Sequence, residues 1–284
     1  MKNQKLSYFF IAASMSIILL SISCKKSSHK IDPTPVLTGV KLTDNTTFGK
    51  ILTDNNGFSL YFFSKDVSGT SNCAGGCATT WPVFYKENLT IGTGLTTSDF
   101  GTIDRADGSK QSTYKGWPLY YYMNDTKAGD TNGDKVANLW AIAKADYSIM
   151  FGNAQLIGLD KVQYTDQGVA GTAVSQYITD GNGLTLYMFS KDAANKNNFT
   201  KPDFSNDVAW PIYTVSAVAS IPSVFDKSQF TTIDVFGRTQ LVYKGHPLYH
   251  FGQDAATRGN TNGISYPTPG AAIWKITNST TVAL

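Results

Sequence analysis

The chain has 284 residues, enough for about two domains that each bury a core, which excludes a single small disulfide module. Charged residues make up 16%, aromatics 13%, and 25 residues are glycine, a balance that suits sheet and excludes coiled coil or a disordered chain. Lys and Arg number 24 against 21 Asp and Glu, so no basic face is available to neutralise phosphates and nucleic acid is not an expected partner.

The N-terminus starts Met1-Lys2-Asn3-Gln4-Lys5, continues through a mostly apolar run at 6–22 and breaks at Ser23-Cys24-Lys25-Lys26. A basic start, a short apolar core and small residues before the break describe a secretory leader, residues 1–23, rather than a membrane-spanning helix. Leu20-Ser21-Ile22-Ser23-Cys24 has the look of a relaxed lipobox, in which Cys24 becomes the acylated first residue of the mature protein. Residues 24–36, rich in Ser, Lys and Pro, then form a flexible tether. The expected location is the bacterial cell envelope, anchored by lipid in the outer membrane and facing either periplasm or medium, because several acyl chains hold firmly.

Beyond the tether one strand motif occurs four times, at 57, 116, 183 and 245, a spacing of roughly 60 residues per unit. Its form is G-x-x-L-Y-x-aromatic-x-x-D. The copies carry Leu60, Tyr61, Phe63 and Asp66; Leu119, Tyr120, Tyr122 and Asp125; Leu186, Tyr187, Phe189 and Asp192; and Leu248, Tyr249, Phe251 and Asp254. One tryptophan follows each copy: Trp81, Trp140, Trp210 and Trp274. Copies one and three follow Thr-Asp turns and precede Trp-Pro, whereas copies two and four follow Tyr-Lys-Gly and precede Thr-Asn-Gly. This A-B-A-B order predicts an all-β fold of two homologous lobes, 37–151 and 157–284, built of short antiparallel strands; a four-bladed propeller with one unit per blade is the alternative.

Period-two alternation puts Tyr61 and Phe63 on one face and Leu60 and Phe62 on the other. A residue needed in every copy is most simply needed by the fold, so the Leu, Tyr, Trp and aromatic positions are assigned to packing. The rival reading is an aromatic row that stacks on sugars. The four aspartates are expected to accept backbone hydrogen bonds where each strand turns.

The Y-x-aromatic-x-x-D signature, together with Cys73-Ala74-Gly75-Gly76-Cys77, Trp81-Pro82, Tyr114-Lys115-Gly116-Trp117-Pro118-Leu119-Tyr120 and Gly129-Asp130-Thr131-Asn132-Gly133, resembles the bacterial secreted-repeat lipoprotein family. That family has no established activity, so the resemblance implies an envelope lipoprotein and little else. The second lobe departs from the pattern: it lacks both cysteines and has His246 where the first has Trp117.

Reactive groups are sparse. Cys73 and Cys77 suit a disulfide in an exported protein, with a redox pair or half of a metal site as alternatives. The equivalent stretch of the second lobe places Phe199 and Phe204 roughly where the cysteines stand. His246 and His250, four residues apart on a strand, are too far apart to share a metal, though either could ligate a haem or metal with a distant partner such as Met188. Asp130, Asn132 and Asp134 alternate like the start of a calcium loop, but Lys135 and Ala141 stand where that loop needs Gly and Glu. No nucleophile with its base, no catalytic residue and no cofactor is predicted. Two functions are carried: a non-catalytic binding or scaffold module for a glycan or envelope protein, and a redox or haem/metal protein using Cys73, Cys77, His246 or His250.

Overall fold

In the computed structural model, which describes residues 39–284, the first element is a hairpin of β1 (Val40–Asn45) and β2 (Gly49–Asp54). Asn45 closes it, its side-chain oxygen accepting from the backbone N–H groups of Thr47 and Phe48. The first motif copy forms β3 (Tyr61–Phe63), followed by the short helix α1 (Gly76–Thr80). A meander follows, of β4 (Phe100–Asp104), β5 (Lys110–Tyr114) and β6 (Trp117–Pro118). β7 (Trp140–Ile142) then returns to pair with β3.

The same plan repeats. β8 (Met150–Ile157) pairs with the short β9 (Gln163–Tyr164) and with β10 (Val174–Thr179). The third copy forms β11 (Tyr187–Phe189), and a second meander runs through β12 (Phe230–Val235), β13 (Arg238–Tyr243) and β14 (His246–Tyr249) before β15 (Trp274–Ile276) closes the set. In this second lobe the order β12-β13-β14-β11-β15 makes one five-stranded antiparallel sheet. The first lobe has the same order, with β6 and β3 joined only by the bridge Tyr61–Tyr120. β8 begins ahead of residue 157 and its partners lie in the second lobe.

The fold is thus all-β, with small antiparallel sheets and few helical turns. The propeller alternative is not what forms. β11, from the third copy, lies between β14, from the fourth, and β15, so neighbouring units share a sheet instead of each building a blade.

Tyr-Lys-Gly repeats because of a backbone requirement. Lys115 (φ 48) and Gly116 (φ 76), like Lys244 (φ 50) and Gly245 (φ 87), are two-residue turns with both central residues left-handed, the twist-matched hairpin connection. Side-chain alternation follows the pleat: Tyr61 and Phe63 enter one apolar cluster with Trp81 and Trp140, and Leu60 and Phe62 enter another. That second cluster also contains Trp117, Met150, Tyr177, Tyr187 and Trp210, so one core passes from lobe to lobe. Residues 39–284 all fall in a single compact unit.

Where the lobes meet, the Trp117 indole N–H donates to the Gly181 carbonyl (3.0 Å). The Arg258 guanidinium lies 4.6 Å over the Trp117 ring and donates to the carbonyls of Lys115 (2.6 Å) and Asn182. The outward ends are covered differently. His246, in Trp117's place, meets the Val282 carbonyl through Nε2 (2.9 Å), and Lys41 donates to the carbonyl of Asn55, the counterpart of Gly181 (3.1 Å). Arg258 has Ala128 as its counterpart in the first lobe.

Candidate functional site

The repeated tyrosines and aspartates exchange partners crosswise between the two units of each lobe. Tyr61 donates to Asp125 (2.6 Å) and Tyr120 to Asp66 (2.5 Å); Tyr187 donates to Asp254 and Tyr249 to Asp192, both at 2.8 Å. The other oxygen of each carboxylate accepts a backbone N–H, from Asn132, Asn72, Asn262 and Asn198 respectively. All eight side chains are buried. Burial pushes the carboxyls of Asp66 and Asp192 up to about 6 and that of Asp254 up to about 7, with Asp125 raised for the same reason; the hydrogen bonds oppose the shift without cancelling it.

Beside each exchange stands a column of four rings. Trp81 and Trp140 stack at 3.6 Å and 6°, with Tyr122 and Phe63 outside them; Trp210 and Trp274 stack at 3.7 Å and 8°, with Phe251 and Phe189 outside. Thr-Asn-Gly repeats because the column leaves no space. A Cβ on Gly133 would lie 2.8 Å from Tyr61 and 2.9 Å from Trp81, and one on Gly263 would lie 2.8 Å from both Tyr187 and Trp210. Seven of the eight rings are buried, Tyr122 alone being half-buried, so the columns serve mainly as core. Leu60, Leu119, Leu186 and Leu248 are each 0% exposed on the opposite face.

Cys73 and Cys77 form a disulfide across α1's first turn. Phe199 holds the place of Cys73, each preceded by the asparagine that serves the motif aspartate, and packs on Phe189 and Trp274. Asn206 holds the place of Cys77, each accepting the N–H of the following tryptophan; Phe204 lies elsewhere, under Arg238.

The remaining candidates are not brought together. Asp130 accepts from Thr126 and Lys127, Asn132 donates to Asn124, and Asp134 accepts from Ile142, each closing its own turn. Among the described residues no group of three or more His, Cys, Asp or Glu side chains could share a metal. His246 and Met188 do line one groove, of about 330 Å³, but His246 Nε2 meets Val282 and Nδ1 is buried without a partner. Burial lowers the affinity of this ring for a proton, and that of His250 too, against the pull of Asp180 on the latter. Cys24 lies outside the described residues.

One apolar pocket, of about 410 Å³, opens beside the second lobe's ring column. Phe251 of the column forms part of its wall, with His250, Pro211 and Leu184, and Ala255 and Ala256 stand at its rim. Searching for what repeats does not find these residues. The signal lies in what fails to repeat: Leu184 and His250 stand where the first lobe has Phe58 and Tyr121, and Ala255-Ala256 where it has Thr126 alone, just as Arg258 replaces Ala128.

No helix among the described residues is long and apolar enough to cross a membrane. No curated protein and no solved structure matches the chain. A family model described as a secreted repeat of unknown function matches it twice, over residues 42–85 and 101–144, one match on each unit of the first lobe. The first lobe thus carries two recognised copies of that secreted repeat.

Proposed function

We propose that this protein is a lipid-anchored envelope module that binds or holds a partner and transforms nothing. One observation carries the reading: the residues repeated four times are consumed by one another, each tyrosine by an aspartate of the neighbouring unit, inside two closed lobes. A catalytic carboxylate needs access to a substrate, and these are buried beneath stacked indoles. The disulfide leaves no thiol at 73 or 77. The secreted-repeat match supports an extracytoplasmic position, and the leader with its Cys24 lipobox supports an anchor, in the outer membrane.

The test is metabolic labelling with a fatty acid, followed by membrane fractionation, for the parent chain and Cys24→Ser. Label and outer-membrane recovery in the parent, both lost in the variant, are expected. An unlabelled parent recovered in soluble fractions refutes the anchor.

A further inference from the structure

We infer that the pocket beside His250 in the second lobe is a binding site for a small, uncharged, apolar molecule, aromatic or alicyclic. The inference rests on the binding half of the proposal above and is independent of the anchor.

Its walls decide the ligand class, because the polar side chains that line the pocket have turned their polar atoms elsewhere. Thr185 donates its hydroxyl to the Asn260 carbonyl (2.6 Å). Both Asp254 oxygens are taken, by Tyr187 and by the Asn262 N–H. His250 directs Nδ1 at the Thr185 carbonyl (3.3 Å) and Nε2 at Asp180 (3.7 Å), so it presents ring surface to the cavity. A sugar, nucleotide or phosphate would have to shed its water here without recovering hydrogen bonds. An apolar ring loses nothing comparable and gains contact with Phe251, Pro211 and Leu184.

Comparison of the lobes shows the second to be set apart for this. Where it has Leu184 and His250, the first has the bulkier Phe58 and Tyr121, and Ala255-Ala256 take the place of Thr126 alone; Tyr121 hydrogen-bonds Asp54 (3.1 Å), while His250 Nε2 stops 3.7 Å from Asp180. Ala255 (φ 52) and Ala256 (φ 51) are successive left-handed non-glycine residues at the pocket rim, a conformation costing about 1 kcal/mol or more each.

The test uses the exported full chain with Cys24→Ser, purified without detergent, and follows backbone amide shifts as naphthalene, toluene or N-acetylglucosamine is added. Saturable shifts at Leu184, Ala255 and Ala256 with both hydrocarbons, and none with the sugar, are expected. Replacing Leu184→Phe and His250→Tyr, which installs the first lobe's residues, together with Ala256→Lys should weaken hydrocarbon binding at least ~tenfold. Ala256→Lys alone, at an exposed rim, provides a second variant whose folding is secure. Absent or unsaturable shifts, unchanged affinity in Ala256→Lys, or sugar binding at these amides would each overturn the inference. Loss of the anchor would not.

Discussion

The Tyr187 hydroxyl donates to the Asp254 carboxylate across 2.8 Å, joining the third motif copy to the fourth, and Tyr249 returns the bond to Asp192. Each carboxylate reaches its tyrosine because its strand ends in a tight turn that carries the aspartate inward, helical at Ser64–Asp66 and Gly252–Asp254 and closed in the other two copies by the N–H of Asp125 on the Tyr122 carbonyl and that of Asp192 on the Phe189 carbonyl. The separation of Tyr from Asp in the motif is set by that turn.

These bonds are coupled by burial. Tyr249→Phe leaves the Asp192 carboxylate short of a donor and should cost about 1–3 kcal/mol; Asp192→Ala should cost a similar amount. The double variant should cost less than the sum, with a coupling of about 1–2 kcal/mol by urea unfolding at pH 7. Strict additivity would mean that the pair is not joined in solution.

Acidification should stabilise the protein through these carboxyls. An unfolded aspartate titrates near 3.9, while the folded values are about 6 for Asp66 and Asp192 and about 7 for Asp254. Between those limits the native state binds more protons, so stability falls as pH rises from about 4 to 7, on the order of 1 kcal/mol per carboxyl. His246 and His250, lowered by burial, act with the opposite sign below about 6.5. The difference isolates Asp254: relative to the parent, Asp254→Asn should gain several degrees in melting temperature between pH 5 and 7.5. A pH-independent gap between the two would refute it.

Gly263→Ala should destabilise by about 1–3 kcal/mol, because its methyl would be driven into Tyr187 and Trp210. Gly76→Ala is the control: φ there is not positive and its Cβ meets nothing within 4 Å. Thermal unfolding of the two variants should separate them clearly, and equal melting temperatures would contradict the close approach.

Arg258→Ala should weaken the junction by about 2 kcal/mol, through lost stacking on Trp117 and two unanswered carbonyls. Arg258→Lys should restore less than half of that, since an ammonium lacks the flat face that covers an indole. Full recovery by lysine in chemical denaturation would show that charge alone matters.

Reduction of Cys73–Cys77 should cost only about 2 kcal/mol, because the loop it closes is short. Melting with and without a thiol reductant measures it. Collapse of the whole fold on reduction would show that α1 holds more than its own segment.

The repeat, the lobes and the strand faces were legible because Leu, Tyr, aromatic and Trp recur at fixed spacing, and period two sorts them between two layers. Which aspartate meets which tyrosine was not: spacing along one copy is silent on contacts across to the next, and Tyr61 finds Asp125 rather than its own Asp66. The propeller remained open for the same reason, as strand pairing between units leaves no mark within either. The pocket is not legible in the sequence because Leu184 is an ordinary residue until set beside Phe58.

The crosswise bonds bear on how such a chain can grow. A single copy of the motif, added or deleted, would strand a phenol without its acid and half a column of indoles without its other half. The lobe, with two matches to the repeat in the first of them, is thus the smallest increment that can be inherited whole, and lengthening by evolution should proceed by even numbers.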